Sequence, residues 1–307
     1  MFDIDYVFTY VNNNEKVWQQ SYKDYCIEHN CITMIDSING SRYNDMGLLP
    51  FLVSGIKKNM PWIRKIHIVV SNKEQIPNDI ANDEHVHIVV HSDIIPAQYL
   101  PTFNSQTIEM FLPMIDGLSE HFIYGNDDMF PIGPLSPLDF FNEDGTKIKV
   151  NIRKYKLDLV ANTFRKVCFN NTKDVIDAFG FTSNLNKKEY YRPYHSISPM
   201  IKSHCMKVWE KCKDLIESHL EAFRTSKQHN QYIFLIYSFL IDSVESSPIN
   251  FKYVSCANTH IEIINNILDK HNQIICINDN PEMYRSEIME KKGMIQEAFR
   301  KRLSNYV

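Results

Sequence analysis

The chain has 307 residues, of which 44% are hydrophobic and 23% charged, and its formal net charge is −4. That length holds one large α/β domain or two modest ones, and the composition excludes a disordered chain. The lack of a basic excess argues against a nucleic-acid-binding surface, and seven scattered cysteines without a CxxC pair argue against a disulfide framework and a zinc site.

Residues 3–11 are rich in β formers (Ile4, Tyr6, Val7, Phe8, Tyr10) and predict a first strand. Asp3 and Asp5 fall where a signal peptide would be apolar, so a cytoplasmic placement is expected. Asn12 to Asn14 turn the chain into a polar helix over 15–29. Leu48, Leu49, Leu52 and Ile56 share a face of a helix over 46–59, with Asp45 as candidate N-cap and Pro61 as the stop. Strands follow at 63–71 and 85–91. Asn104 or Ser105 caps a helix to Ile115, with Pro113 near its end. The apolar run Phe122-Ile123-Tyr124 predicts a buried strand that ends in Gly125-Asn126-Asp127-Asp128. Such strand ends are where α/β sheets bind ligands. Two adjacent carboxylates there can hold Mg²⁺, or Mn²⁺, and through it a diphosphate, or can bond sugar hydroxyls directly. A plain Asn/Asp turn is the bland alternative.

Beyond Pro131, Pro134 and Pro137 the pattern predicts a strand at 147–152 and helices at 160–177, 202–223 and 228–244. The apolar run Tyr232–Ile241 has roughly half the ~20 residues of a membrane span. A short strand at 274–277 leads into Asn278-Asp279-Asn280. The segment 281–303 has Pro281 at its start and an amphipathic, mixed-charge pattern. This last helix either docks on the domain or lies on an anionic membrane at the inner face of the cell. No repeat or linker is visible, so one composite domain is expected: an α/β core over 1–150 and a mostly helical part over 151–307.

Four blocks in order resemble the Stealth family: IDYVFTYV (4–11); the run from SRYNDMGLL (41–49) through NMPWIRKIHIVVSN, LPTFNSQTIE and GLSEHFIYGNDDMF (to 130); RPYHSISPMIK with SKQHNQYIFLIYSFL; and IICINDN (274–280). That family includes bacterial capsule and cell-wall polysaccharide phosphotransferases and the catalytic part of animal N-acetylglucosamine-1-phosphotransferase. The resemblance implies a glycosyltransferase-A-like wound sheet that binds a nucleotide sugar. It implies transfer of a sugar-1-phosphate from a UDP-sugar to a saccharide hydroxyl, which a lipid can carry, with release of UMP. The chain departs from the family where Tyr10-Val11-Asn12-Asn13 replaces Trp-Val-Asp-Gly, and where Asn278-Asp279-Asn280 replaces Asn-Asp-Asp.

Phosphoryl transfer asks for in-line positioning, cations on the equatorial oxygens and a base for the acceptor proton. Asp45, His195 and His229 lie in matching blocks as base candidates, against the alternatives of N-capping for Asp45 and a bonded structural histidine for His229. Arg42, Arg192 and Lys227 are the candidate phosphate cations, against ordinary solvated charge. Thr9 and Tyr10 end the first strand, where a uridine could dock; Asn104, Asn126, Asn278 and Asp279 complete the donor candidates, and Asp127 and Asp128 the metal pair. An ordinary glycosyltransferase releasing UDP and a non-catalytic carbohydrate-binding protein are the competing readings.

Overall fold

A computed structural model describes residues 2–29, 43, 46–158, 160–278 and 285–304. Strand β1 (Ile4–Thr9) is buried except at Thr9. After the asparagine turn, the Glu15 carboxylate accepts from the backbone N–H of Val17 (2.6 Å) and Trp18 (2.7 Å) and so caps α1 (Lys16–Glu28). Only Trp18 of that helix is buried, as its polar pattern requires. Helix α2 (Leu49–Asn59) follows, then β2 (Ile66–Val70), buried throughout, and β3 (Val86–Val90). Asn104 caps α3 (Ser105–Phe111), and Pro113 tightens the chain into a 3₁₀ turn, so the helix stops short of Ile115. The buried strand appears as β4 (His121–Asn126), with β5 (Met129–Pro131) directly after the two aspartates.

Next come β6 (Ile148–Lys149) and β7 (Ile152–Lys156). Helix α4 (Thr163–Phe179) is capped by Asn162 and ended by Gly180 at φ 68°, a left-handed conformation that favours glycine. It is followed by β8 (Glu189–Pro193), β9 (Ser198–Ile201), α5 (Lys202–Glu217) and the almost wholly buried α6 (Tyr232–Leu240). The remaining elements are β10 (Val244–Glu245), β11 (Phe251–Ser255), α7 (His260–Leu268), β12 (Ile274–Asn278) and α8 (Arg285–Ser304). The fold is therefore mixed α/β. The half expected to be mostly helical carries β7 to β11 besides the expected β12; charged residues in β7 and β8 and a proline in β9 hide the pattern of those three.

One five-stranded sheet has the order β3-β2-β1-β4-β9. Within it β1 and β2 run parallel, in the register Tyr6↔Ile66, and β4 and β9 antiparallel. A three-stranded sheet, β11-β12-β5, pairs β11 with β12 in parallel and β12 with β5 antiparallel, placing Cys276 opposite Met129. The strands β7 and β8 form an antiparallel ribbon of their own. The chain divides into two compact units, each built from three separated segments: Met1–Asp5, Val89–Tyr124 and Phe140–Ser247 in the first; Tyr6–Ile88, Gly125–Asp139 and Pro248–Val307 in the second.

In the second unit, α8 buries Ile295, Ala298 and Phe299. Phe299 stacks on Phe51 of α2 at 5.6 Å and lies 4.7 Å from the Phe130 ring. Lys291 donates to the carbonyls of Cys256 and Asn258, and Arg300 and Lys301 pair with Glu297. Ile295 and Phe299 of the expected apolar face are thus used for docking inside the unit. No helix among the described residues is long and apolar enough to cross a membrane.

Helix α2 approaches β5 closely at Gly55, where an added Cβ would stand 2.5 Å from the Pro131 carbonyl oxygen. Asn59 donates to that same oxygen at 3.0 Å. By helix propensity alone, Gly55→Ala would stabilise by about 1 kcal/mol. The clash is with backbone, and forcing a methyl into a packed contact costs about 1–3 kcal/mol. A net loss of stability is expected, read as a lower urea midpoint; a raised midpoint would show that α2 can move off β5 freely.

Candidate active site

The acidic strand end lies in the second unit. Asp128 is held where β5 begins by the bond from the Ile277 N–H to its carbonyl, 2.9 Å. That bond places its side chain beside the end of β12. Its Oδ2 accepts from the Cys276 thiol at 3.3 Å and from Asn278 Nδ2 at 3.2 Å. Its Oδ1 is buried and has no hydrogen-bond partner among the described residues. A buried carboxylate oxygen without a donor is costly unless a ligand satisfies it. Burial, and then the Asp128 charge, push the Tyr6 hydroxyl and the Cys276 thiol well above their ordinary pKa values. Both groups therefore stay protonated beside the carboxylate. The Tyr6 hydroxyl is likewise buried without a partner among the described residues.

A hard oxygen ligand with one open oxygen fits a divalent cation, so Asp128 is the residue of the pair that the geometry favours as a ligand. Asp127 follows Asn126 in the same turn and is half-buried. Thr9 and Tyr10 close β1, also in this unit, with Tyr10 buried.

The first unit holds the histidine and arginine candidates. His195 is half-buried in the loop after β8, its Nδ1 3.4 Å from the hydroxyl of Tyr232, the first residue of α6. Arg192, in β8, lies with its guanidinium 3.9 Å from the Tyr155 ring centre. His229 is different: its side chain is 1% exposed, and Nε2 bonds Asp174 of α4 at 2.8 Å. That bond holds the ring from one side, and its buried Nδ1 has no hydrogen-bond partner among the described residues. Asn104 is taken up by the fold. Its side-chain oxygen caps α3, and its amide donates to Thr107, the Glu221 carbonyl and Gln228. This geometry gives Asn104 a capping role. Lys227 is exposed. Arg42, Asp45 and Asp279 lie outside the described residues.

Sequence reasoning missed a buried charge in the first unit. Glu109 of α3 accepts from the Gln231 N–H at 3.1 Å and from the Tyr124 hydroxyl at 3.4 Å. Burial raises its pKa to about 7, against the lowering effects of the Gln231 N–H, the Arg224 charge, Tyr124 and Ser105. Arg224 in turn donates to Ser105 Oγ at 2.6 Å. The available signal was a carboxylate between Ile108 and Met110 in a block already singled out. Cys276 and Asp174 had no such signal.

The second unit thus holds a carboxylate at a strand end, and the first unit holds the Arg192 and His195 groups. The description "Stealth protein CR2, conserved region 2" matches residues 42–149, which include the whole acidic strand end. A capsular polysaccharide phosphotransferase of Actinobacillus suis is 40% identical over 47% of this chain and 39% of its own length. The receptor polysaccharide phosphotransferase WefC of Streptococcus gordonii is 29% identical over 75% of this chain and 76% of its own. The capsular polysaccharide phosphotransferase fcs1 of Haemophilus influenzae is 35% identical over 76% and 64%. The chain thus spans well under half of the first of these relatives. Over residues 42–149 the chain thus carries a conserved region of the Stealth family. Among solved structures, the galactosyltransferase LgtC, in complex with donor and acceptor sugar analogs, superposes with a TM-score of 0.41 at 10% identity, covering 97% of this chain and 95% of that one.

Proposed function

We propose that this chain transfers a hexose-1-phosphate, of the N-acetylhexosamine type, from a UDP-sugar to a saccharide hydroxyl in surface polysaccharide assembly. The observation that carries the reading is the match of conserved region 2 across the strand end that holds the unsatisfied Asp128 oxygen. The relatives named above, each called a polysaccharide phosphotransferase, support it. In this reading the acceptor oxygen forms a bond to the phosphorus nearest the sugar. The bond between the two phosphorus centres' bridging oxygen and that phosphorus breaks, and UMP leaves with the electron pair. The bond between sugar and oxygen stays intact, so the anomeric configuration is retained.

His195 takes the acceptor proton, which a histidine does near neutral pH without a large shift. Arg192 faces the phosphoryl oxygens, where charge develops. Asp45 and Arg42 keep the base and phosphate roles that their motif suggests. Asp128, with Asp127, would hold Mg²⁺ or Mn²⁺, which supplies charge neutralisation at a diphosphate. Asn126, Thr9 and Tyr10 supply polar and stacking groups at neighbouring strand ends.

Incubation with a UDP-N-acetylhexosamine and a saccharide acceptor, followed by phosphorus NMR and a nucleotide assay, tests this. A phosphodiester resonance with one UMP per product is expected, abolished by excess chelator and restored by Mg²⁺ or Mn²⁺. A phosphate-free product with UDP would replace the reading by an ordinary glycosyltransferase. Full activity in chelator would leave Asp128 as a sugar ligand.

A further inference from the structure

In the ribbon, Arg153 of β7 lies directly opposite Arg192 of β8. Residues so paired point to the same side of a sheet, and their side chains start roughly 5 Å apart. Like charges placed directly opposite destabilise a strand pair. The same side carries Tyr155, opposite Tyr190, and Tyr194 two residues beyond Arg192. Each guanidinium covers a diagonal tyrosine: Arg192 over Tyr155 at 3.9 Å, and Arg153 over Tyr194 at 4.7 Å. Neither has a carboxylate partner among the described residues. On the opposite side of the ribbon Lys154 pairs with Glu189 at 3.4 Å, and nearby Arg165 pairs with Asp158 at 2.8 Å. Two guanidiniums on one side of the ribbon, each held by a ring and without a carboxylate partner among the described residues, are arranged for an anion that comes from outside.

We propose that Arg153 and Arg192 form a paired clamp for the phosphate of a phosphate-bearing saccharide, with Tyr155 and Tyr194 as its aromatic floor. Guanidinium forks suit bidentate contact with phosphate oxygens, and two of them can grip one phosphodiester from both sides. Stacking on tyrosine fixes each fork before the ligand arrives, which lowers the ordering cost of binding. Arg153 lies outside every family block quoted above, and this assignment gives it a role. The phosphate can belong to the donor diphosphate or to a phosphodiester already in the acceptor. The saccharide half of the proposal rests on the function proposed above; the anion half rests on the ribbon alone.

Calorimetric titration of the full chain with three probes tests it: UDP-N-acetylglucosamine, a disaccharide joined through a phosphodiester, and the same disaccharide without phosphate. Arg153→Gln and Arg192→Gln should each weaken binding of a phosphate-bearing probe by about tenfold or more, the scale of one charge-assisted contact. Lys154→Gln removes the same charge from the other side and should change affinity less than twofold. A loss confined to the phosphodiester disaccharide assigns the clamp to the acceptor, and a loss confined to the UDP-sugar assigns it to the donor. Equal weakening by Lys154→Gln, unchanged binding in both arginine variants, or equal affinity for the phosphate-free disaccharide would overturn it. Because binding is read without turnover, the clamp can stand if the phosphodiester product is not found, and fall if it is.

Discussion

His195→Ala is expected to lower kcat by roughly a hundredfold or more, the scale of general-base help, with thermal stability nearly unchanged. The residue is half-buried in a loop, and loops carry function more often than packing. His229→Ala is expected to do the reverse. Its ring is enclosed, and removing it opens a cavity and breaks the 2.8 Å bond to Asp174. Together these cost about 2–4 kcal/mol. Steady-state UMP release and thermal melts of both variants separate the roles. A stable His229→Ala protein with a hundredfold lower rate would return that buried ring to the chemistry. A His195→Ala protein at full rate would move the base elsewhere, with Asp45 next in line.

Stability should fall by about 2.5 kcal/mol more between pH 5 and pH 8 in the native protein than in Glu109→Gln. The unfolded chain releases the Glu109 proton near 4.5, but the folded protein keeps it to about 7 because burial disfavours the charge. Between those values the folded state binds more protons than the unfolded state, so its stability declines as pH rises. The contribution is fully present below about 4.5 and lost as pH climbs through about 7. At about 1.36 kcal/mol per pH unit this gives the stated size. Glutamine keeps the shape of the protonated acid and removes the titration, so its stability curve should lack the decline. Urea midpoints at half-unit pH steps measure it. Parallel curves for the two proteins would show that Arg224 and the Gln231 N–H hold Glu109 ionised at ordinary pH.

The elements that sequence reasoning found are those whose pattern is local. Strands β1, β2 and β4 are apolar runs with turn residues after them, and the asparagine cap of α3 acts on a residue two positions away. The ribbon was hidden because Ile152–Lys156 and Glu189–Pro193 carry charges on both sides, and a half-exposed ribbon needs no apolar stripe. Pro199 hid β9 in the same way, although strand ends and edges tolerate proline. At the site, the acidic pair was legible from the strand and turn alone. Its surroundings were not: the thiol on Asp128 arrives by strand pairing across 148 residues, and no short window contains that information. Nor was Asp174, the partner of His229, legible: it lies 55 residues away, in α4.

That long strand pairing also sets a clock. Strand β5 emerges with the acidic turn, but its partner β12 is made some 148 residues later. At roughly 5–20 residues per second, the nascent chain waits on the order of ten seconds with the β5 edge open and Phe130 uncovered. Helix α8, whose Phe299 covers that ring, is translated later still. Throughout that interval the acidic turn has neither the thiol nor the amide that later fixes Asp128. A truncated product ending before β12 would carry the whole of conserved region 2 and still present a sticky strand to any chaperone, protease or neighbouring chain it met.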